Sequence, residues 1–202
     1  MITAKRAYTL ADLPELPDDR IYDILGGQLV VFNVPDDNHD AVLTPLALFL
    51  GRAMDVGYGP VSVATRAVAL DFLHRGTAAE DVTHPDLFFA LADRVDSLRG
   101  RRALEGVPDL VIEIVSRTTR AEHQPGGDLW QAYERHGLPY YWLVDTARRT
   151  VLQYTLAGEH YVGGRYGEPV VLSEGDLLTN PLFPTVSIEV TRVFRHVKDW
   201  GE

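Results

Sequence analysis

The run Pro108-Asp109-Leu110-Val111-Ile112-Glu113-Ile114-Val115-Ser116 decides how the rest of the chain is read. Its β-branched, apolar residues over one strand length predict a strand. Side chains alternate across a strand, so Asp109, Val111, Glu113 and Val115 share one face, while Leu110, Ile112 and Ile114 share the other. A glutamate in the middle of such a strand is expensive. Taking an ionised carboxylate out of water costs several kcal/mol unless a cation or a proton stands beside it. An earlier run, Thr83-His84-Pro85-Asp86-Leu87-Phe88-Phe89-Ala90, repeats the order proline, aspartate, apolar strand, and Asp86 meets the same problem. Carboxylates on neighbouring strands would offer hard oxygen ligands to one or two divalent metal ions. The competing reading puts each near a strand end, capping a turn or paired with an arginine.

A chain of 202 residues with 46% hydrophobic side chains suits one well-buried domain, residues 1–202. Without cysteine, any metal must be held by oxygen or by histidine nitrogen. No apolar run reaches membrane-spanning length, and the first residues lack the apolar core of a secretion signal. The expectation is a soluble, cytoplasmic protein with no membrane association. The net charge of −10 argues against gripping duplex DNA through a broad basic face. A cleft lined by arginine stays open, because only Lys5 and Lys198 among the 19 basic residues are lysines.

Working outward in chain order, Thr9 to Leu16 reads as a short helix capped by Thr9 and stopped by Pro17. Ile21 to Leu25 and Gln28 to Val34 read as a hairpin turned by Gly26-Gly27. His39 to Asp55 carries the spacing of an amphipathic helix, capped by Asp37 or Asn38 and bent by Pro45. Val61 to Leu70 reads as a strand, and Asp93 to Gly106 as an exposed segment in which Arg94, Arg99, Arg101 and Arg102 are either solvated or phosphate-facing. Arg117 to Gly127 is a polar loop, Leu129 to His136 a helix capped by Asp128, and Tyr140 to Val144 a strand with an antiparallel partner at Thr150 to Leu156. Tyr161 to Leu172 gives two short edge strands, and Val186 to Val190 the last strand. This order predicts an α/β protein with a mixed sheet flanked by helices and additional antiparallel strands. No phosphate-binding glycine loop, zinc-protease helix motif or serine-hydrolase elbow is present.

Taken together, the residues resemble the Uma2 family, also called DUF820, a restriction-endonuclease group assigned to the PD-(D/E)xK nuclease superfamily. The resemblance rests on an ordered set: Tyr22 to Val30, Pro85-Asp86-Leu87, Gly106 to Ser116, Tyr133 to Asp145, and Gly175-Asp176 to Phe194. It implies a restriction-endonuclease-like fold in which Asp86 and Glu113 bind a divalent metal. It also implies a third acidic ligand early in the chain, where the family usually has glutamate and this chain has Asp23. Mg²⁺ is the default ion, with Mn²⁺ the alternative, since no soft ligand is on offer. The implied partner is DNA, and cutting both strands of a duplex suits a homodimer. Metal-activated water and charge neutralisation would then hydrolyse the phosphodiester.

The chain departs from the family pattern in its lysine. The superfamily place, two residues after the glutamate, is Val115, and the family's other place, on the following helix, falls at Leu129 or Gly127. Gln131 is the candidate substitute, with Arg135, Arg117 and Arg120 behind it, although arginine can stabilise charge without acting as a base. His123 stands where the family has an aspartate. The leading reading is a metal-dependent endonuclease with an altered site: Asp86 and Glu113 catalytic and metal-binding, Asp23 a third ligand, Gln131 in place of lysine. The alternative is an inactive nuclease fold kept as a binding or assembly module. His39 reads either as a helix-capping or surface residue or as one approaching the site; His84 either packs or faces the same cleft. Tyr140, Tyr141 and Trp142 read as core and sheet edge rather than as a base-stacking platform.

Overall fold

The computed structural model describes residues 7–17, 20–31, 36–59, 61–63, 68–69, 81–98, 104–115 and 123–199. A hairpin of β1 (Tyr22–Leu25) and β2 (Gln28–Val31) precedes helix α1 (Asp37–Asp55). Strands β3 (Val61–Val63), β4 (Val68–Ala69), β5 (Val82–Thr83) and β6 (Leu87–Phe89) follow. After one helical turn, α2 (Val95–Leu98), come β7 (Leu104–Glu105) and β8 (Leu110–Val115). Helix α3 (Asp128–Arg135) leads to β9 (Tyr140–Asp145), β10 (Thr150–Glu159), β11 (Gly163–Tyr166), β12 (Val170–Leu172), β13 (Leu177–Leu178), β14 (Ile188–Glu189) and a last turn, α4 (Val190–Val193).

The principal sheet runs β11-β10-β9-β8-β6-β3, with β12 also paired to β10. Only β8 and β9 are parallel in it, and α3 makes the crossover that a parallel pair requires. A second sheet runs β2-β1-β5-β4-β7. The chain leaves the second sheet at Thr83 and enters the first at Leu87, so His84-Pro85-Asp86 is the joint between them.

The alternation read in β8 is realised on both faces. Leu110, Ile112 and Ile114 pack in one cluster with Val42, Leu46, Phe49 and Leu50 of α1 and with Trp142 and Phe183. Val111 and Val115 pack in the other with Leu129, Ala132 and Tyr133 of α3 and with Tyr141 and Leu143. Burying a side chain of this size contributes about 1.5–3 kcal/mol, so β8 is held from two sides and Glu113 is fixed facing α3. Tyr141 and Trp142 are core residues and Tyr140 is half-buried.

Several boundaries differ from the sequence reading. The first helix shrinks to a 3₁₀ turn, Leu13–Glu15, because Pro14 and Pro17 remove backbone donors; Thr9 instead bonds Asp12 Oδ2 through its amide and its hydroxyl. The cap of α1 is Asp36, whose side chain accepts from the His39 amide. Asn38 is buried and exchanges two hydrogen bonds with the Lys198 backbone. The 61–70 segment supplies two strands, β3 and β4, and the final strand is Ile188–Glu189. Gly26 and Gly27 take φ of +56° and +75°, the left-handed turn geometry a two-residue hairpin needs. Arg94 is not solvated: it forms an ion pair with wholly buried Asp109 at 2.8 Å. Lys5, Arg99, Arg101, Arg102, Arg117 and Arg120 lie outside the described residues.

Candidate active site

The antiparallel register of β6 with β8 runs from Phe89↔Leu110 to Leu87↔Ile112, and one further step sets Asp86 beside Glu113. There the Ile114 amide donates to Asp86 Oδ2 at 2.7 Å, so the Asp86 side chain takes over the strand's edge bonding. In the second sheet, Ile24 opposes Val82, and one step on brings Asp23 beside Thr83. The three acidic residues expected from sequence therefore gather where the two sheets meet.

Each has a histidine partner. His39 Nε2, from the first turn of α1, lies 2.8 Å from Asp86 Oδ1. His84 contacts Asp23 Oδ1 through its backbone amide and its Nδ1, both at 3.0 Å. His123 Nε2 stands 3.9 Å from Glu113 Oε2. His39 thus approaches the site while its amide serves the cap, and His84 faces the same joint. Among the described residues arginines pair with other carboxylates, such as Asp81 with Arg135, Asp109 with Arg94, and Glu134 with Arg165.

The cluster's electrostatics follow from burial. Desolvation pushes the Glu113 carboxyl well above the usual range, and the charges of Asp86 and Asp23 push the same way against a hydrogen bond from Tyr133. Asp23 is raised by burial, with His84 and then His123 opposing. Burial disfavours the His39 imidazolium, but the hydrogen bond and charge of Asp86, helped by Asp40, outweigh it and raise His39.

Tyr133 was not singled out by sequence reasoning. Its hydroxyl donates to Glu113 Oε1 at 2.7 Å and lies 3.4 Å from Thr83 Oγ1, in a wholly buried position. The available signal was its spacing: Leu129 and Tyr133, four apart, share the helix face toward β8. Gln131 is two residues from Tyr133, about 200° around the helix. It is exposed, and its amide donates to the Gly126 carbonyl at 2.7 Å. The structure therefore brings Asp23, Asp86 and Glu113 together and leaves Gln131 on the far side of α3. Lys198, the one described lysine, reaches Asp37 Oδ2 at 3.4 Å.

A divalent ion fits the charge of this cluster, since a buried Glu113 whose carboxyl is raised by burial and by the charge of Asp86 is the arrangement a hard cation relieves. Asp86 and Glu113 would supply the oxygen donors to such an ion. Among the described residues no three His, Asp or Glu side chains stand in a ready ligand set, and Asp23 is turned onto His84.

A mixed sheet flanked by helices, with Asp86 and Glu113 side by side on two central strands, is the α/β architecture of this chain. The chain belongs to the Uma2 family, described as "Putative restriction endonuclease", whose profile matches residues 8–191. A crystal structure of "a putative nuclease belonging to DUF820" from Anabaena variabilis ATCC 29413 shares the fold. Its TM-score is 0.67 at 18% identity, over 93% of this chain and 97% of that one. No curated protein matches. Among the described residues no helix is long and apolar enough to cross a membrane.

Proposed function

We propose that this chain is a divalent-metal-dependent endonuclease that hydrolyses DNA phosphodiester bonds at a site altered by the loss of its lysine. The observation that carries the reading is the pair Asp86 and Glu113, set side by side by strand register, with Glu113 buried and Asp86 partly exposed beside it. Asp86 and Glu113 would hold Mg²⁺ or Mn²⁺, with Asp23 as the third carboxylate. When bound, such an ion supplies an activated water and offsets the charge that builds on the phosphodiester.

The chain's own groups do the rest. Tyr133 orients Glu113 and excludes water from it on the α3 side. His39 orients Asp86 and stands at the rim, where its Nε2 could hold or pass a proton once Asp86 engages an ion. Among the described residues no lysine is at hand to steady the phosphoryl oxygens, so turnover should be slow relative to a site that has one.

The histidine partners support a second reading, in which the carboxylates are neutralised internally and the fold serves as a binding module. Calorimetric titration of Mg²⁺ and Mn²⁺ into wild type and Glu113→Ala separates the two. The nuclease reading expects saturable binding that the substitution abolishes. Absence of binding in wild type would leave only the module.

A further inference from the structure

A cleft of about 390 Å³ is lined by residues of α1 and of the 188–196 segment. Asp40, Thr44, Leu48 and Arg52, four apart along one face of α1, form one wall, and Pro45, Phe49 and Ile188 give it an apolar floor. Arg52, Arg192, Arg195 and His196 line its rim. In a chain of net charge −10, residues 190–198 read Val-Thr-Arg-Val-Phe-Arg-His-Val-Lys, with no acid among them. Arg192 has a loose, half-exposed contact with Glu189 at 3.7 Å, and among the described residues Arg52 and Arg195 make no ion pair. Asp40, the acidic lining residue, marks the end next to the site: its carboxylate lies 3.4 Å from His39 Nδ1, and the other ring nitrogen holds Asp86.

We propose that this cleft is the track for the sugar-phosphate backbone of the strand on which Asp86 and Glu113 act, with Arg52, Arg192 and Arg195 pairing with its phosphates. The inference rests on the nuclease reading and adds where the strand lies. Guanidinium forks match phosphate oxygens and are weakly hydrated, and an apolar floor suits the sugar face. From Asp40 to Arg52 the helix advances about 18 Å at 1.5 Å per residue, or about five nucleotides at a rise of 3.4 Å. This arrangement gives a strongly acidic chain a means of holding a polyanionic substrate, because three arginines line one groove whose Asp40 end adjoins His39, the partner of Asp86.

The test is fluorescence anisotropy with short fluorescein-labelled single-stranded and duplex DNA, in EDTA so that nothing is cut, over a range of salt. Wild type is compared with the triple variant Arg52→Ala, Arg192→Ala, Arg195→Ala and with the corresponding triple change to lysine, each checked for an unchanged melting profile. The alanine triple should weaken binding about tenfold or more and lower the salt slope by about two to three, while the lysine triple keeps most of the slope. Equal binding by wild type and the alanine triple, or no binding by wild type, overturns the track. So does polyglutamate binding through the same arginines more tightly than DNA, which would assign the groove to an acidic peptide. Plasmid nicking is scored separately. Binding through the arginines without nicking keeps the track and removes the nuclease reading; nicking with binding unchanged in the alanine triple does the reverse.

Discussion

Replacing Tyr133 with phenylalanine removes one oxygen and leaves the ring's packing almost intact. That oxygen donates to Glu113 Oε1 at 2.7 Å and lies 3.4 Å from Thr83 Oγ1, in a position with no exposure, so water has no ready path to replace it. The loss is one hydrogen bond to a carboxylate plus the cost of an unsatisfied buried acceptor, about 1.5–3 kcal/mol. For a urea dependence of about 2 kcal/mol per M, the unfolding midpoint should fall by about 1 M. The assay is urea unfolding followed by tryptophan fluorescence at neutral pH in chelator. A double-mutant cycle with Glu113→Ala, which removes the acceptor, isolates the contact from the Thr83 interaction. A loss below about 0.5 kcal/mol, with no coupling in the cycle, would refute the argument that Tyr133 holds Glu113.

Three further outcomes follow from other parts of the fold. Glu113→Gln, measured in chelator, should be more stable than wild type at neutral pH. The wild-type carboxyl is raised in the folded state, so its favourable contribution is complete below its unfolded pKa and drains away as pH rises; thermal melts in acid should show the advantage of the variant shrinking. Asp81→Asn should act in the opposite sense. Burial would raise Asp81, but hydrogen bonds from His136, Arg135 and the Gly26 amide outweigh it and hold the carboxyl well below the usual range. Wild type should therefore lead the variant at neutral pH and lose the lead as pH falls through the folded value, read from melts over an acid series. Arg94→Ala should cost about 3–5 kcal/mol by chemical denaturation, because it strips the cation from a wholly buried Asp109.

The strand pattern of residues 108–116 was enough to set β8 at the centre, since apolar residues on both faces mean cover on both sides. The same reasoning put Asp86 and Glu113 on neighbouring strands. Asp109 carries the same proline-aspartate signature as Asp86. The difference is one of direction. β6 runs antiparallel to β8, so the start of β6 lies beside the far half of β8, next to Glu113, while Asp109 at the near end of β8 falls to Arg94, Tyr161 and the Leu91 amide. The histidine partners were harder to see, because His39, His84 and His123 come from three separate segments, and only the meeting of two sheets with α1 converges them. Gln131 was favoured by position along the chain; its rotation about α3, fixed by the apolar face of Leu129 and Tyr133, carries it away from the carboxylates.

Nicking of supercoiled plasmid is the direct test of the proposal that Asp86 and Glu113 form a metal-dependent phosphodiesterase site. Wild type, Asp86→Asn and Glu113→Gln would be incubated with Mg²⁺, with Mn²⁺ and with EDTA. Wild type should convert the plasmid slowly to open circles with either ion and not at all in EDTA, and neither variant should convert it. Nicking that survives both substitutions, or a wild type that leaves the plasmid intact with both ions, would contradict the proposal.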